Sequence, residues 1–482
     1  MQGLQQRGSL GTLQSPQETF SGHQITNAIT TLGERLDACG LLPGDRVLLI
    51  NDGDIYFPIF YLALTLKKIV VVPCPTGREN RFGFRYLIDR TQPKYAIAAT
   101  SIVDALGNGE PIHDIFPDCP LQFIRLPVEH QNMSAKLAAL DVAALMFTSG
   151  TTGMPKGVLV THQNLLTTLE KNIAFQSLSS ATIELNALPL THSFGLGQLN
   201  ATLAAGGMGI LLPGLANLGR VLKTARQAHV TNFPTTPAGL GILTDRYAKQ
   251  FQQSFDYLQV IMVNSAPLPP RLAEKIMTLL PQIRLLVYYG LTEASRSTFA
   301  ELSGVDRDYL SSVGKPLGNT VVSIAEDSKE ILIRGDNVSP GYFQDCTTPL
   351  LLHPASTLKT GDKGEIVAGG RLVVSGRLTD ELNIGGYKID PLEVERLTVA
   401  IEGIQQACLT VVASKYHDIS ELVLLISAPA EVAEQTIRHQ LSAALEQYKM
   451  PHHILQVTAV PAGLNGKINR VQSQQMARDL LA

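Results

Sequence analysis

The run Thr148-Ser-Gly-Thr-Thr-Gly-Met-Pro-Lys-Gly157 gathers three glycines, four hydroxyls and one ammonium, with no carboxylate among them. Glycines let successive backbone N–H groups turn inward as a nest for an anion, and the hydroxyls and Lys156 add further donors. That is chemistry for a polyphosphate. A solvated Gly/Thr hairpin has the same composition, and this run alone leaves both readings open. It is not the phosphate loop of the nucleoside triphosphatases. Pro155 stands before Lys156 where Gly is required, and Gly157 follows where Ser or Thr is required.

The surrounding pattern supplies elements to position such a loop. Ala143 to Thr148 and Lys94 to Ala99 read as strands. Arg46 to Ile50 and Ile69 to Pro73 are short apolar runs, and between them Ile55 to Leu66 has helical length, the mark of a βαβ unit with buried parallel strands. Val260 to Val263 and Leu285 to Tyr289 read as another strand–helix–strand passage. The alternation implies a large α/β body. From about Gly314 short strands separated by turns suggest a small barrel: Thr320 to Ile324, Glu330 to Arg334, Glu365 to Ala368 and Arg371 to Ser375. After Gly376-Arg377, the β-rich runs Cys408 to Ala413 and Leu422 to Ser427 and a helix over about Ala430 to Gln447 make a small α+β domain.

Composition bounds the function. The chain has 482 residues, a formal net charge of −3, 45% hydrophobic and only 17% charged residues. A chain this apolar is compact, and its neutral balance carries no electrostatic footprint for nucleic acid or anionic lipid. Cys39, Cys74, Cys119, Cys346 and Cys408 lie scattered with no C-x-x-C pair. That argues against a disulfide framework or a zinc site and fits a reducing compartment. Ile55 to Leu66 is too short to span a bilayer and is stopped by Lys67-Lys68. No membrane span and a cytoplasmic location are expected.

Several further motifs follow the Thr148 loop in order. They are Leu188-Pro-Leu-Thr-His-Ser-Phe-Gly195, Asn264-Ser-Ala-Pro-Leu268, Tyr288-Tyr-Gly-Leu-Thr-Glu293, Lys359-Thr-Gly-Asp362, Gly376-Arg-Leu-Thr-Asp380, Gly385-Gly-Tyr-Lys-Ile-Asp-Pro391 and Asn465-Gly-Lys-Ile-Asn-Arg470. Singly each is weak. As an ordered set, over nearly the whole chain, they resemble the adenylate-forming acyl/aryl-CoA synthetases, luciferases and peptide-synthetase adenylation domains. The resemblance implies a large AMP-binding domain over 1–375, of α/β subdomains plus a small β-barrel. A small mobile α+β domain over 376–482 would close onto it and carry a catalytic lysine.

The implied chemistry is ATP-dependent activation of a carboxylic acid to an acyl-AMP with pyrophosphate release, then transfer to the thiol of CoA. Two anions meet in the first step, so positioning and electrostatics carry the catalysis. By resemblance Thr148, Ser149, Gly150, Thr151, Thr152, Gly153 and Lys156 hold phosphates, Ser265, Ala266, Pro267 and Gly290 line the nucleotide, and Tyr289 packs on adenine. Thr292 contacts the α-phosphate, Glu293 holds Mg²⁺, and Asp362, in a turn after Gly361, accepts from the ribose hydroxyls with Arg377 beside it. Lys467 matches the catalytic lysine, and His192, with Phe194 and Asn264, lines the acid pocket. On the residues alone Tyr289 also reads as a core aromatic, Glu293 as a solvated charge and His192 as a satisfied buried imidazole.

Departures from the family pattern touch the acceptor and the acid. Thr379 stands where Asp or Lys is usual, and Asn383 where many CoA ligases carry a lysine that assists the thioester step. Loading of a carrier-protein phosphopantetheine therefore stays beside CoA as an acceptor. Ser193-Phe194-Gly195 lacks the Asp that pairs an amino acid's ammonium, which favours an acid without an α-amino group. A non-catalytic nucleotide-binding relative is the reading of another class, but Lys156, Glu293, Asp362, Arg377 and Lys467 are all present. Thr19-Phe20 to Val47 looks like the family's early helix and first strand, so part of the usual lead-in is expected to be missing.

Overall fold

The computed structural model describes residues 10–51, 54–76, 83–99, 109–111, 119–127, 132–148, 156–354, 357–378, 382–384, 387–413, 420–463 and 468–481. Among the described residues the chain forms two nine-stranded sheets and a four-stranded barrel sheet, followed by two small C-terminal sheets.

The first large sheet is built on Arg46–Ile50 and Val70–Cys74, parallel neighbours that are buried at every position. A strand covered on both faces reads as a continuous apolar run, which is why alternation is absent. The apolar stretch between them is a helix, Phe57–Leu66, started by a proline in its first turn and buried along almost its full length. Val142–Thr148 lies beside Val70–Cys74 and pairs antiparallel with Lys156–Thr161. The edge beyond is Gly341–Phe343 and then Leu351–Leu352, from far along the chain.

The second sheet runs parallel through Asn232–Thr235, Val260–Val263 and Arg284–Leu291, in register, then reverses at a tight hairpin into Ala294–Glu301. Toward its far edge Thr12–Gln14 lies parallel to Met208–Leu211, and Thr19–Phe20 closes that edge antiparallel to it. The two sheets share one core, in which Leu49, Val71 and Val158 of the first sheet cluster with Leu211 of the second and with Leu199 and Leu203 of the helix Ser193–Ala204.

The barrel sheet consists of Val321–Ile324, Glu330–Arg334, Leu358–Val367 and Arg371–Arg377, all antiparallel. Here the structure differs from the sequence reading: Asp362 lies within a long strand, not in a turn. Gly361, at φ +72°, and a register shift between Lys363 and Gly364 bend the strand without ending it. The alternation that would betray it is missing because polar groups are satisfied across the barrel, as where Thr360 donates to the Ile331 carbonyl at 2.7 Å.

Gln406–Ala413 and Ser420–Ser427 form an antiparallel pair, extended in parallel by His453–Val457. The expected helix over Ala430 to Gln447 is shorter, Glu434–Ser442, because Val432 is tied to Gln456 before it and a 3-10 turn, Gln447–Lys449, follows it. Two apolar clusters centred on Leu424 and on Val423 serve this part, and neither includes a residue before Leu382. No helix among the described residues is long and apolar enough to cross a membrane. Among the described residues none of the five cysteines is in a disulfide.

Candidate active site

Three of the expected nucleotide residues meet at one point. Asp362 and Arg377 are cross-strand partners in the barrel sheet, and the Arg377 Nε donates to Asp362 Oδ1 at 3.0 Å. Tyr289, near the end of Arg284–Leu291, donates its hydroxyl to the other oxygen, Oδ2, at 2.7 Å. Burial and the adjacent Asp362 carboxylate push the Tyr289 phenol well above its usual value, so it stays a donor. Each Asp362 oxygen has one protein partner here and retains acceptor capacity for a vicinal diol.

Four residues on, the chain reverses at Thr292-Glu293, the two-residue turn between Arg284–Leu291 and Ala294–Glu301. Gly290 makes the approach possible, since a Cβ there would fall 2.6 Å from the Arg296 nitrogen. Glu293 is held from two sides. Its carbonyl accepts from Ser339 N at 2.8 Å, and its Oε1 accepts from the Tyr342 hydroxyl at 3.0 Å. Tyr342 pairs with Val158 in the first sheet, and the Lys156 ammonium lies 5.6 Å over its ring. His353 packs edge-on against the same ring, and burial lowers its pKa. Thr148 and Lys156 are cross-strand partners at the ends of their two strands.

The third group is the expected acid pocket. Asn264 donates from Nδ2 to the Tyr288 carbonyl at 2.8 Å, and the Phe194 ring meets the Tyr288 ring edge-on at 5.4 Å. His192 is the exposed N-cap of the helix Ser193–Ala204, not a buried imidazole, and its side chain does not cap that helix. Ser265 adopts φ +84°, a left-handed conformation rare outside glycine, and Ala266 and Pro267 lead from it to the helix Pro270–Leu279.

Three buried charged side chains were not singled out by the sequence reading. Arg296 is 1% exposed and stands 5.0 Å over the Tyr288 ring. Glu184, fully buried, accepts from Thr202 at 2.8 Å and from Asn186 at 3.1 Å, and burial pushes its carboxyl up to about 7. Lys171 is buried against Thr320, which itself donates to Asn337, and burial lowers the lysine to about 8. The one available signal was an arginine in Ala294–Glu301, a strand otherwise of small, hydroxylated and apolar residues before its last position.

Ser149, Gly150, Thr151, Thr152, Gly153, Thr379, Gly385, Gly386 and Lys467 lie outside the described residues. Asn383 falls on the strand Leu382–Ile384, its side chain likewise outside them.

Residues 5–343 match the family of AMP-binding enzymes. The chain belongs to that family. It is 24% identical over 466 residues to a 4-coumarate–CoA ligase-like protein of Arabidopsis thaliana, covering 91% of this chain and 82% of that one. Two solved folds match nearly end to end. ATP-bound MatB from Rhodopseudomonas palustris is 22% identical with a TM-score of 0.80, over 98% of this chain and 97% of that one. The o-succinylbenzoate CoA synthetase MenE of Bacillus subtilis, in complex with ATP and magnesium, is 21% identical with a TM-score of 0.77, over 99% of each.

The arrangement in this AMP-binding enzyme fits a magnesium ion. Among the described residues no three His, Cys, Asp or Glu side chains converge as a cage. Glu293 alone is presented, with one oxygen engaged by Tyr342 and the other without a hydrogen bond among the described residues. Mg²⁺ keeps several waters and is commonly held by one or two carboxylates together with substrate phosphates.

Proposed function

We propose that the chain activates a carboxylic acid with ATP, releasing pyrophosphate, and passes the acyl group to the thiol of CoA. One observation supports this most: a single hairpin carries Tyr289, tied to the Asp362–Arg377 pair, and Glu293, tied to the strand that follows Lys156. A nucleoside triphosphate laid along that hairpin has acceptors at its ribose and cations at its phosphates.

In this reading Asp362 accepts from the ribose hydroxyls while Arg377 and Tyr289 fix its orientation. Ser265, Ala266, Pro267 and the Tyr289 ring bracket the base, and Gly290 lets the chain pass close to the sugar. Thr292 donates to the α-phosphate. Thr148, Ser149, Gly150, Thr151, Thr152, Gly153 and Lys156 hold the outer phosphates. Glu293 would hold a magnesium ion, whose charge would offset that of the leaving pyrophosphate. A carboxylate oxygen attacks the α-phosphorus and the bond to pyrophosphate breaks, giving acyl-AMP. Lys467 bridges the two anions, His192, Phe194 and Asn264 hold the acid, and the thiolate sulfur then forms the thioester as AMP departs. We assign the adenylation body to 1–375 and the mobile domain bearing Lys467 to 376–482.

Pyrophosphate release dependent on both ATP and Mg²⁺, followed across a panel of acids with and without CoA, tests the proposal. Thioester formation with CoA is the expected result. Release without a thioester would move the acceptor to a carrier protein, and no release with any acid would leave a non-catalytic nucleotide binder.

A further inference from the structure

We infer that Arg296 selects the substrate, and that the acid it selects is short and carries a second carboxylate. The inference rests on the acid-activating reading above and concerns the far wall of the same pocket.

Arg296 is among the largest fully buried side chains of the molecule. Its backbone is left-handed, φ +54°, a conformation that a non-glycine residue keeps only when its surroundings hold it there. Its contacts are all to neutral groups. Nη1 reaches Ser295 Oγ at 3.0 Å and the Ser193 carbonyl at 3.4 Å, and Nη2 reaches the Phe194 carbonyl and Gln198 Oε1, both at 3.4 Å. Three of the four lie at the outer limit of a hydrogen bond. Nε is buried with no partner at all.

No carboxylate of the described residues forms an ion pair with this guanidinium. Glu184 feels its charge, but the Glu184 oxygens are engaged by Thr202 and Asn186. Removing one partner of a buried charge pair is strongly destabilising, because a charge is left uncompensated. Arg296 is in that position without any mutation. An anion arriving from outside the chain would complete it.

The position of the charge says which anion. Arg296 lies over Tyr288, whose ring is met by Phe194 and whose carbonyl is bound by Asn264, both expected acid-pocket residues. Room for the guanidinium exists because residue 197 is glycine, where a Cβ would come within 2.6 Å of Nη1. Because the guanidinium lies against the Tyr288 ring that Phe194 also meets, an acid held at Phe194 and Asn264 reaches the arginine through a short stem. A second carboxylate there would take the fork of Nε and one Nη, the geometry that guanidinium is shaped for. A neutral tail would leave the cation unmatched, the kind of defect by which enzymes reject analogues by ~10⁴-fold or more.

Steady-state pyrophosphate release and calorimetric binding on the full chain test this, using short unbranched dicarboxylic acids against their monomethyl esters. At least one diacid should exceed its ester in kcat/KM by ~10³-fold. Arg296→Gln should reduce that ratio to below ~10-fold through KM for the diacid, with KM for ATP unchanged, while Arg296→Lys keeps part of it. A wild-type protein that uses ester and diacid equally, or a preference that survives in Arg296→Gln, overturns the inference. If Arg296→Gln fails to fold, the wild-type comparison decides alone. Diacid binding without turnover of any acid would support the Arg296 site and overturn the ligase reading. Turnover of esters and diacids alike would do the reverse.

Discussion

The ribose end and the acid end of the site are built on opposite principles. At the ribose end every charge has a partner supplied by the chain: Asp362 is bound by Tyr289 and by Arg377, and the three are fixed by strand pairing. At the acid end a buried guanidinium meets only neutral acceptors, with one nitrogen unpartnered. A group common to every turnover can be preorganised completely, because nothing needs to be distinguished. A group that distinguishes acids gains discrimination from being incomplete until the right one arrives.

The comparison can be broken in graded steps. Lys467→Ala removes the cation expected to bridge both ends; pyrophosphate release should fall by about 10³-fold or more, with ATP binding by calorimetry retained. Loss of ATP binding together with activity would show that Lys467 serves the nucleotide end alone.

Glu184→Gln addresses the buried carboxyl that feels the charge of Arg296 at the acid end. The Glu184 carboxyl is raised to about 7 in the folded state, so the fold favours its protonated form. Its stabilising contribution is therefore fully present below its unfolded pKa, about 4.3, and is lost as pH rises through about 7, a change of roughly 3 kcal/mol. Thermal unfolding of the wild type should show that falling component between about pH 4.3 and pH 7, levelling off above it, and Glu184→Gln should lack it. Identical pH profiles for the two proteins would place the titration elsewhere.

Asp362→Asn should act on the nucleotide end only. Loss of the charge-assisted bonds is expected to raise KM for ATP by ~30-fold while KM for the acid stays within a factor of about two. A matching rise in both would mean that the two ends are not energetically separate. Smallest is Tyr342→Phe, which frees Glu293 Oε1 from its hydroxyl. The Mg²⁺ concentration for half-maximal ATP binding should rise by about five-fold, read by calorimetry, because an orienting hydrogen bond of about 1 kcal/mol is lost.

Much of this division could be read in the sequence, unevenly. The phosphate-loop strands, the βαβ unit and the strand ending in Tyr289 announce themselves because parallel strands buried on both faces need unbroken apolar runs, as Arg46–Ile50 and Val260–Val263 show. Asp362 was found by motif but assigned to a turn, since a strand whose polar residues bond across a barrel shows no alternation. Arg296 escaped notice for a different reason. Its burial depends on Gly197, about a hundred residues away, as well as on Tyr288 across the hairpin, and no local pattern distinguishes an arginine that points inward from one that points to water.

The pairing of strands far apart in the chain, once in each large sheet, has a consequence for how the chain is assembled. Thr12–Gln14 waits for its neighbour, Met208–Leu211, which is synthesised nearly two hundred residues later, and Lys156–Thr161 waits for Gly341–Phe343 over a similar delay. Until the ribosome has delivered both latecomers, each sheet exposes an open row of backbone donors and acceptors, the template for association between nascent chains. The same late strand brings Tyr342 to Glu293. Closing the sheet edge and seating that carboxylate are then one event, so a chain halted before it has neither.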